Sequence, residues 1–280
     1  MVRQRRLQFR IGTLFWVTAA SAIALALVGN RYRLIEEQRE VLDALAPYNP
    51  GVVYAGDKVV LLSLSESGVT DRQLAHVARL PHLEWLDLEE TAITDDGLRH
   101  LQGLKRLKRL SLRSAPVTDL GLAYLAGLTG LEDLRLPGTQ ITNDGLVHLA
   151  GLTNLTCLDL GATMVNEIGL ARLERLTRLR RLYLRHTEIT DAGLIVLRQF
   201  PDLQFLALNH TSVTDRGLPN LRGFPQLETL WLHHTDVTDD GLALLAGLPR
   251  LQQIELTQTG VTDDGAAALE VQFPGVRVLR

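Results

Sequence analysis

The triplet Val69-Thr70-Asp71 returns as Ile93-Thr94-Asp95 after 24 residues, and the same step continues without insertion to Val261-Thr262-Asp263. Val117-Thr118-Asp119, Ile141-Thr142-Asn143, Val165-Asn166-Glu167, Ile189-Thr190-Asp191, Val213-Thr214-Asp215 and Val237-Thr238-Asp239 fall between them. A leucine series keeps the same step, from Leu86/Leu88 through Leu110/Leu112 and Leu134/Leu136 to Ile254/Leu256. Together they give nine in-register copies of L-x-x-L-x-L-x-x-T-x-[VI]-T-D-x-G-L-x-x-L-x-x. A fixed period of this length limits the chain to a stack of identical coils.

The spacing within one copy sets the local structure. Alternating L-x-L places both leucines on one face of a short strand. After the triplet, G-L-x-x-L has helical spacing. Thr94 is then the N-cap, its hydroxyl accepting from a first-turn N–H. Ile93 and Leu98 are placed to form a hydrophobic staple across the helix start. Asp95 and Asp96 fall where the helix dipole favours negative charge. Gly97 leaves room where neighbouring coils crowd. No coil can bury its leucines alone, so the coils stack into a parallel sheet backed by short helices. The expected fold is an α/β solenoid of about nine coils over residues 56–280, with an atypical last coil, "GAAALEVQFPGVRVLR".

The N-terminal part is of another kind. Arg3, Arg5, Arg6 and Arg10 precede Ile11–Asn30, which contains no charged residue. Twenty helical residues span about 30 Å, the thickness of a bilayer's hydrocarbon core. We expect a basic cytoplasmic tail at 1–10 and a transmembrane signal-anchor at 11–30. A cleaved signal peptide, with Ala24-Leu25-Ala26 as its site, would instead give a secreted protein. A buried soluble helix is the plain alternative. The anchor is preferred because apolar character continues through Leu27 and Val28. Four arginines before the segment against Arg31, Arg33 and Arg39 after it favour repeats outside the cytoplasm. Residues 31–46 read as a helix with Leu34, Ile35, Val41, Leu42 and Leu45 on one stripe, stopped by Pro47 and Pro50. Gly51–Tyr54 reads as a short strand, and 31–55 as a juxtamembrane helix and N-terminal cap.

With 29 basic and 32 acidic residues, the net charge is -3, which gives no basis for a nucleic-acid partner. Lys105, Arg106, Lys108 and Arg109 read as a solvated face. One cysteine, Cys157, excludes an intrachain disulfide and a Cys-based zinc site.

The unit resembles the leucine-rich repeat, specifically the "T-D-x-G-L" class of the cysteine-containing repeats in F-box-type receptors. It resembles still more the bacterial membrane-anchored leucine-rich repeat proteins, which carry the unit behind a basic single-span N-terminus. The resemblance implies a right-handed horseshoe or arc, strands on the concave side and short helices on the convex side. It further implies a scaffold without catalysis or cofactor that binds a protein or surface ligand. An intracellular F-box-type substrate receptor is the alternative, against which residues 1–55 leave no room for an adaptor-binding module. The asparagine or cysteine that commonly follows the strand is replaced by threonine at Thr91, Thr139, Thr163, Thr187, Thr211, Thr235 and Thr259, and by Ser67 and Ala115 elsewhere.

On such a concave face the positions flanking the leucines form columns. One runs Leu61, Trp85, Arg109, Asp133, Cys157, Arg181, Phe205, Thr229, Gln253. These columns vary while the leucines do not. Arg181, Tyr183, Arg185, Phe205, Asn209, Trp231 and His233 are expected to share one surface, and aromatics and arginine dominate interface energetics. The plain alternative is that aromatics on a sheet merely favour strand structure. His186, His210 and His234 recur at one position in successive coils and are expected to form a ring ladder. They are weak candidates for a metal or a pH-responsive patch, with surface polarity as the default reading. Cys157 is expected to be an accessible thiol without a histidine partner. Asp239 and Asp240 read as scaffold rather than as an acid–base pair.

Overall fold

The computed structural model describes residues 2–280 other than Ala246, with side chains described from residue 22 onward. A single helix, α1 (Val2–Leu45), leads into β1 (Gly51–Ala55) and β2 (Lys58–Ser63). Then strands and short helices alternate: α2 (Asp71–Val77), β3 (Trp85–Asp87), α3 (Asp95–Leu98), β4 (Arg109–Ser111), α4 (Asp119–Leu125), β5 (Asp133–Arg135) and β6 (Cys157–Asp159). They continue as α5 (Glu167–Leu170), β7 (Arg181–Tyr183), α6 (Asp191–Val196), β8 (Phe205–Ala207), β9 (Thr229–Trp231), α7 (Asp239–Leu244), β10 (Gln253–Glu255), α8 (Asp263–Gln272) and β11 (Arg277–Leu279). Where no α-helix follows the triplet, a 3-10 segment does, Gly145–Leu149 and Leu218–Gly223.

The strands form one 11-stranded sheet in sequence order. β1 pairs antiparallel with β2, and every later pair is parallel with the register of the repeat, as in Leu158 opposite Leu182 and Leu182 opposite Leu206. The strand leucines are fully buried with the helix leucines, and Phe200 and Phe224 replace leucine in two adjacent coils at 0% exposure. The atypical C-terminal coil still supplies a parallel strand, β11, paired with β10.

Two polar threads run through the stack. The strand-end threonines turn their hydroxyls back onto the strand, as Thr91 to the Leu88 carbonyl (2.7 Å) and Thr163 to that of Leu160 (2.6 Å). The backbone turns left-handed once per coil just after the strand: Glu66, Glu90, Ser114, Gly138, Ala162, His186, His210, His234 and Gln258 all have φ between 51° and 70°.

The second thread joins helix starts. Thr94 caps α3 by accepting from the Asp96 N–H, as its sequence position predicts. Its hydroxyl also donates to Asp71 Oδ2 (2.7 Å), while its own N–H donates to Asp71 Oδ1 (2.8 Å). Asp95 does the same for Thr118 (2.8 and 2.6 Å), and Asp191, Asp215 and Asp239 for Thr214, Thr238 and Thr262. The first aspartate of these helices therefore cross-links coils, beyond its favourable place in the dipole. The repeat glycine follows from this: a Cβ on Gly97 or Gly121 would collide with the carboxylate of Asp71 or Asp95. Where the repeat breaks, Asn143 Oδ1 accepts from Asn166 N–H (2.9 Å) and Asn143 Nδ2 donates to Asn166 Oδ1 (2.8 Å). Glu167 fits less well. It reaches only the Thr190 hydroxyl, at 3.2 Å, and its Oε2 is buried without a partner.

The end of α1 covers the first coil. Val41 and Leu45 are fully buried, and Gln38 bonds Asp57 O (2.7 Å) and Val59 N (2.6 Å) across to β2. The helix expected at 31–46 is thus the tail of one continuous helix, ending before Pro47. Among the described residues no helix is long and apolar enough to cross a membrane. The expected transmembrane helix at 11–30 is not found as such, and its residues 11–21 lie outside the residues with described side chains. The remainder, Ala22–Asn30, is exposed at every position.

Candidate functional site: the strand face

The register brings Arg181, Phe205 and Thr229 into one column and Tyr183, Ala207 and Trp231 into the next. Ala207 is fully buried, and its missing bulk opens the column between two large rings. Phe205 bridges the gap from the neighbouring column. Its centroid is 4.7 Å from Tyr183, tilted, and 4.8 Å from Trp231, edge-on, both favourable arrangements. The three partly buried rings form a contiguous row, with the Trp231 Nε1 buried and without a hydrogen-bond partner.

Other expected members fall around this row. Arg181 and Arg185 lie on one side, 4.0 Å from Asp133 Oδ2 and 3.7 Å from Asp159 Oδ2. His233 lies on the other, its Nδ1 3.2 Å from Glu255 Oε1 without hydrogen-bond geometry. Asn209 departs from the expected surface position: it is 4% exposed, and its Oδ1 has no partner. Unpartnered buried polar atoms are costly, and those at Trp231 and Asn209 lie beneath this face, out of reach of solvent.

Cys157 is a correction. The expected accessible thiol is 1% exposed; its strand neighbours Asp133 and Arg181 flank it on either side. Burial first, then the Asp133 charge, pushes its thiol up to about 12, so it is inert rather than reactive. Sequence columns also conceal that Asp133 (6%) and Asp159 (7%) are buried while Arg109, Arg113, Arg135 and Arg181 are exposed. Burial raises the Asp159 carboxyl, opposed by the Gly161 N–H bond and the nearby Arg185. Residue type alone carries no signal for this layering. Trp85, the other strand-face tryptophan, is covered on its ring face by Arg109, 5.5 Å from the centroid.

The histidine ladder forms as spacing predicts: His186 and His210 stack at 3.9 Å and 13°, His210 and His234 at 3.9 Å and 20°. Its physical basis is the left-handed backbone at each of the three, a conformation in which histidine is enriched among non-glycine residues. Near-parallel rings do not converge their nitrogens on one point, and no group of three or more metal-type side chains that could hold an ion occurs among the described residues. Asp239 binds Thr262 and is scaffold.

Burial, followed by His186, His234 and His233, holds the His210 imidazole below its ordinary value of 6.5. The unfolded chain then takes up the proton first, so stability is retained above that value and lost as pH falls through it toward the folded value. His210→Asn, which tolerates the same backbone, should flatten the drop in urea midpoint between about pH 7.5 and about pH 5. An undiminished drop would exclude the ladder as its source.

The family model described as "Leucine Rich repeat" matches residues 79–101 and 176–197. Among curated protein sequences none matches. Internalin C2 of Listeria monocytogenes is similar in structure, with 25% identity, a TM-score of 0.57, and coverage of 79% of this chain and 80% of that one. A leucine-rich repeat protein of Leptospira interrogans is similar at 18% identity and a TM-score of 0.54, over 72% of this chain and 56% of its own. The leucine-rich repeat ectodomain of the Arabidopsis thaliana membrane receptor kinase GASSHO1/SCHENGEN3, solved in complex with Casparian strip integrity factor 2, is similar at 16% identity and a TM-score of 0.54, over 79% of this chain and 26% of its own.

Proposed function

We propose that the chain is a leucine-rich repeat protein and a membrane-anchored binding scaffold without catalysis, its repeats outside the cytoplasm. It takes a protein or surface ligand on the strand face, its concave side, through Arg181, Tyr183, Arg185, Phe205, Asn209, Trp231 and His233. The observation that carries the binding reading is the Tyr183–Phe205–Trp231 row. A contiguous row of partly buried aromatic rings is the kind of surface that interfaces use as anchors.

Residues 11–30 supply the anchor, 1–10 the cytoplasmic tail and 31–55 the junction to the repeats at 56–280. Support comes from the uncharged stretch itself and from its described part, where Ile23, Leu25 and Leu27 are 61%, 72% and 64% exposed. A helix apolar on all sides requires cover from lipid or protein.

The test uses the full chain in intact spheroplasts, with a photo-crosslinking amino acid at Phe205 or, as a control, at the exposed helix residue Leu120. External protease should release the repeats, and crosslinks should form from position 205 alone. Repeats protected until lysis would overturn the orientation. Equal crosslinking from both positions would overturn the assignment of the face.

A further inference from the structure

We infer that the strand face has a second subsite beside the aromatic row, a trough that takes the carboxylate of an acidic peptide segment. The inference rests on the binding-surface reading above and names its partner's chemistry. Beside the column that contains Tyr183 runs a third, in which Pro137 and Gly161 separate Arg113 from Arg185. Pro137 and Gly161 are buried and project little, and Pro137 lines the floor between two long cationic walls. A Cβ on Gly161 would lie 2.8 Å from Arg185 Cγ and 3.0 Å from its Nε. The glycine thus lets the Arg185 side chain lie back across the floor. The resulting cleft, of about 230 Å³, is lined also by Glu89, Ser111, Arg135, Asp159 and Tyr183.

Each of its two carboxylates, Glu89 and Asp159, has one oxygen held, and several of its donors are unengaged. Asp159 Oδ1 accepts the Gly161 N–H at 2.8 Å, and Asp159 is itself buried. Arg135 holds Asp133 through Nε and Nη2, both at 3.1 Å, which leaves its Nη1 over. Arg113 meets Glu89 through Nη1 at 2.9 Å. Arg185 closes no hydrogen bond among the described residues, its guanidinium standing 3.7 Å from Asp159 Oδ2. Ser111, 8% exposed, has a buried Oγ without a partner. Unengaged guanidinium N–H groups around a small cleft suit an oxyanion, and guanidinium forks match a planar carboxylate.

Tyr183 decides the class of ligand. It lines the trough and also touches Phe205, 4.7 Å between centroids. A partner filling both has a carboxylate next to an apolar group, as an extended peptide with an acidic residue beside an aromatic one provides. A phosphate-rich polymer would leave the aromatic row unused.

The test measures binding to the full chain in detergent by tryptophan fluorescence. The probes are acetyl-Gly-Asp-Phe-Gly-amide and its Asn counterpart. The Asp peptide is expected to bind about tenfold more tightly, the scale of one charge-assisted hydrogen bond. Arg185→Gln should erase that preference and leave the Asn peptide unaffected, since Asp159 keeps its Gly161 bond. Arg113→Gln should halve the preference or more, and neither variant strips a buried acid of its main partner, as loss of Arg135 would strip Asp133. Equal binding of both peptides, unchanged by Arg185→Gln, overturns the trough and leaves the aromatic surface standing. Inorganic phosphate displacing the Asp peptide at equal affinity overturns the choice of a peptide carboxylate. Binding of neither peptide, with crosslinking from position 205 also absent, removes the surface and the trough together.

Discussion

Asp95→Ala is expected to lower the stability of the repeats by about 2 kcal/mol, while Asp96→Ala changes it by at most about 0.5 kcal/mol. The two residues are adjacent, chemically identical and both in the first turn of α3. Asp95 alone receives the N–H and hydroxyl of Thr118 in the following coil, at 2.8 and 2.6 Å. Its loss leaves a backbone N–H without its charged acceptor at the junction of two coils. In a solenoid, stability is carried by such nearest-neighbour junctions, so the effect is expected to propagate to cooperativity as well. Urea unfolding followed by circular dichroism reads both. The reverse change lies at the weak junction: Glu167→Asp should restore a short two-point contact to Thr190, remove the buried unpartnered Oε2 and stabilise by about 1 kcal/mol. Equal midpoint shifts for Asp95→Ala and Asp96→Ala would show that the coil-to-coil bonds carry no net stability.

Trp231→Ala is expected to weaken the partner captured from position 205 by about 2 kcal/mol, roughly thirtyfold in Kd. Trp85→Ala should cost less than about 0.5 kcal/mol, within the range of residues outside a hot spot. Trp231 packs edge-on against Phe205 at 4.8 Å and is only partly exposed. Trp85 is 39% exposed and has Arg109 over its ring, so a ligand must first displace a cation. Calorimetric titration of the two variants separates them. Similar losses would spread the binding energy along the whole face, and no loss from either would remove the aromatic row from the interface.

Much of this could be read in advance because each coil repeats local rules. The leucine period predicts which strand residues pair, and Leu158 does face Leu182. The threonine caps depend on atoms two residues apart, as Thr94 on Asp96, and were equally legible. The columns alone place the aromatic residues together. By contrast, the exposure of a column residue depends on its neighbours in other coils. Cys157 and Asn209 occupy positions where Arg181 and Arg185 are open or half-open, yet both are buried. The left-handed backbone at His186, His210 and His234 gives their recurrence a conformational reason that periodicity does not contain.

The amino-acid order by itself determined the coil, the parallel sheet, the interior leucines and the uncharged stretch at 11–30, since all follow from periodicity and composition along the chain. The tertiary structure alone distinguished Asp95 from Asp96, buried Cys157, set Asp133 and Asp159 beneath exposed arginines and opened the trough over Pro137. Those properties arise from side chains about 24 positions apart in sequence and about one strand spacing apart in space. Between such neighbours, desolvation and hydrogen-bond geometry decide, and neither is encoded in a residue's type.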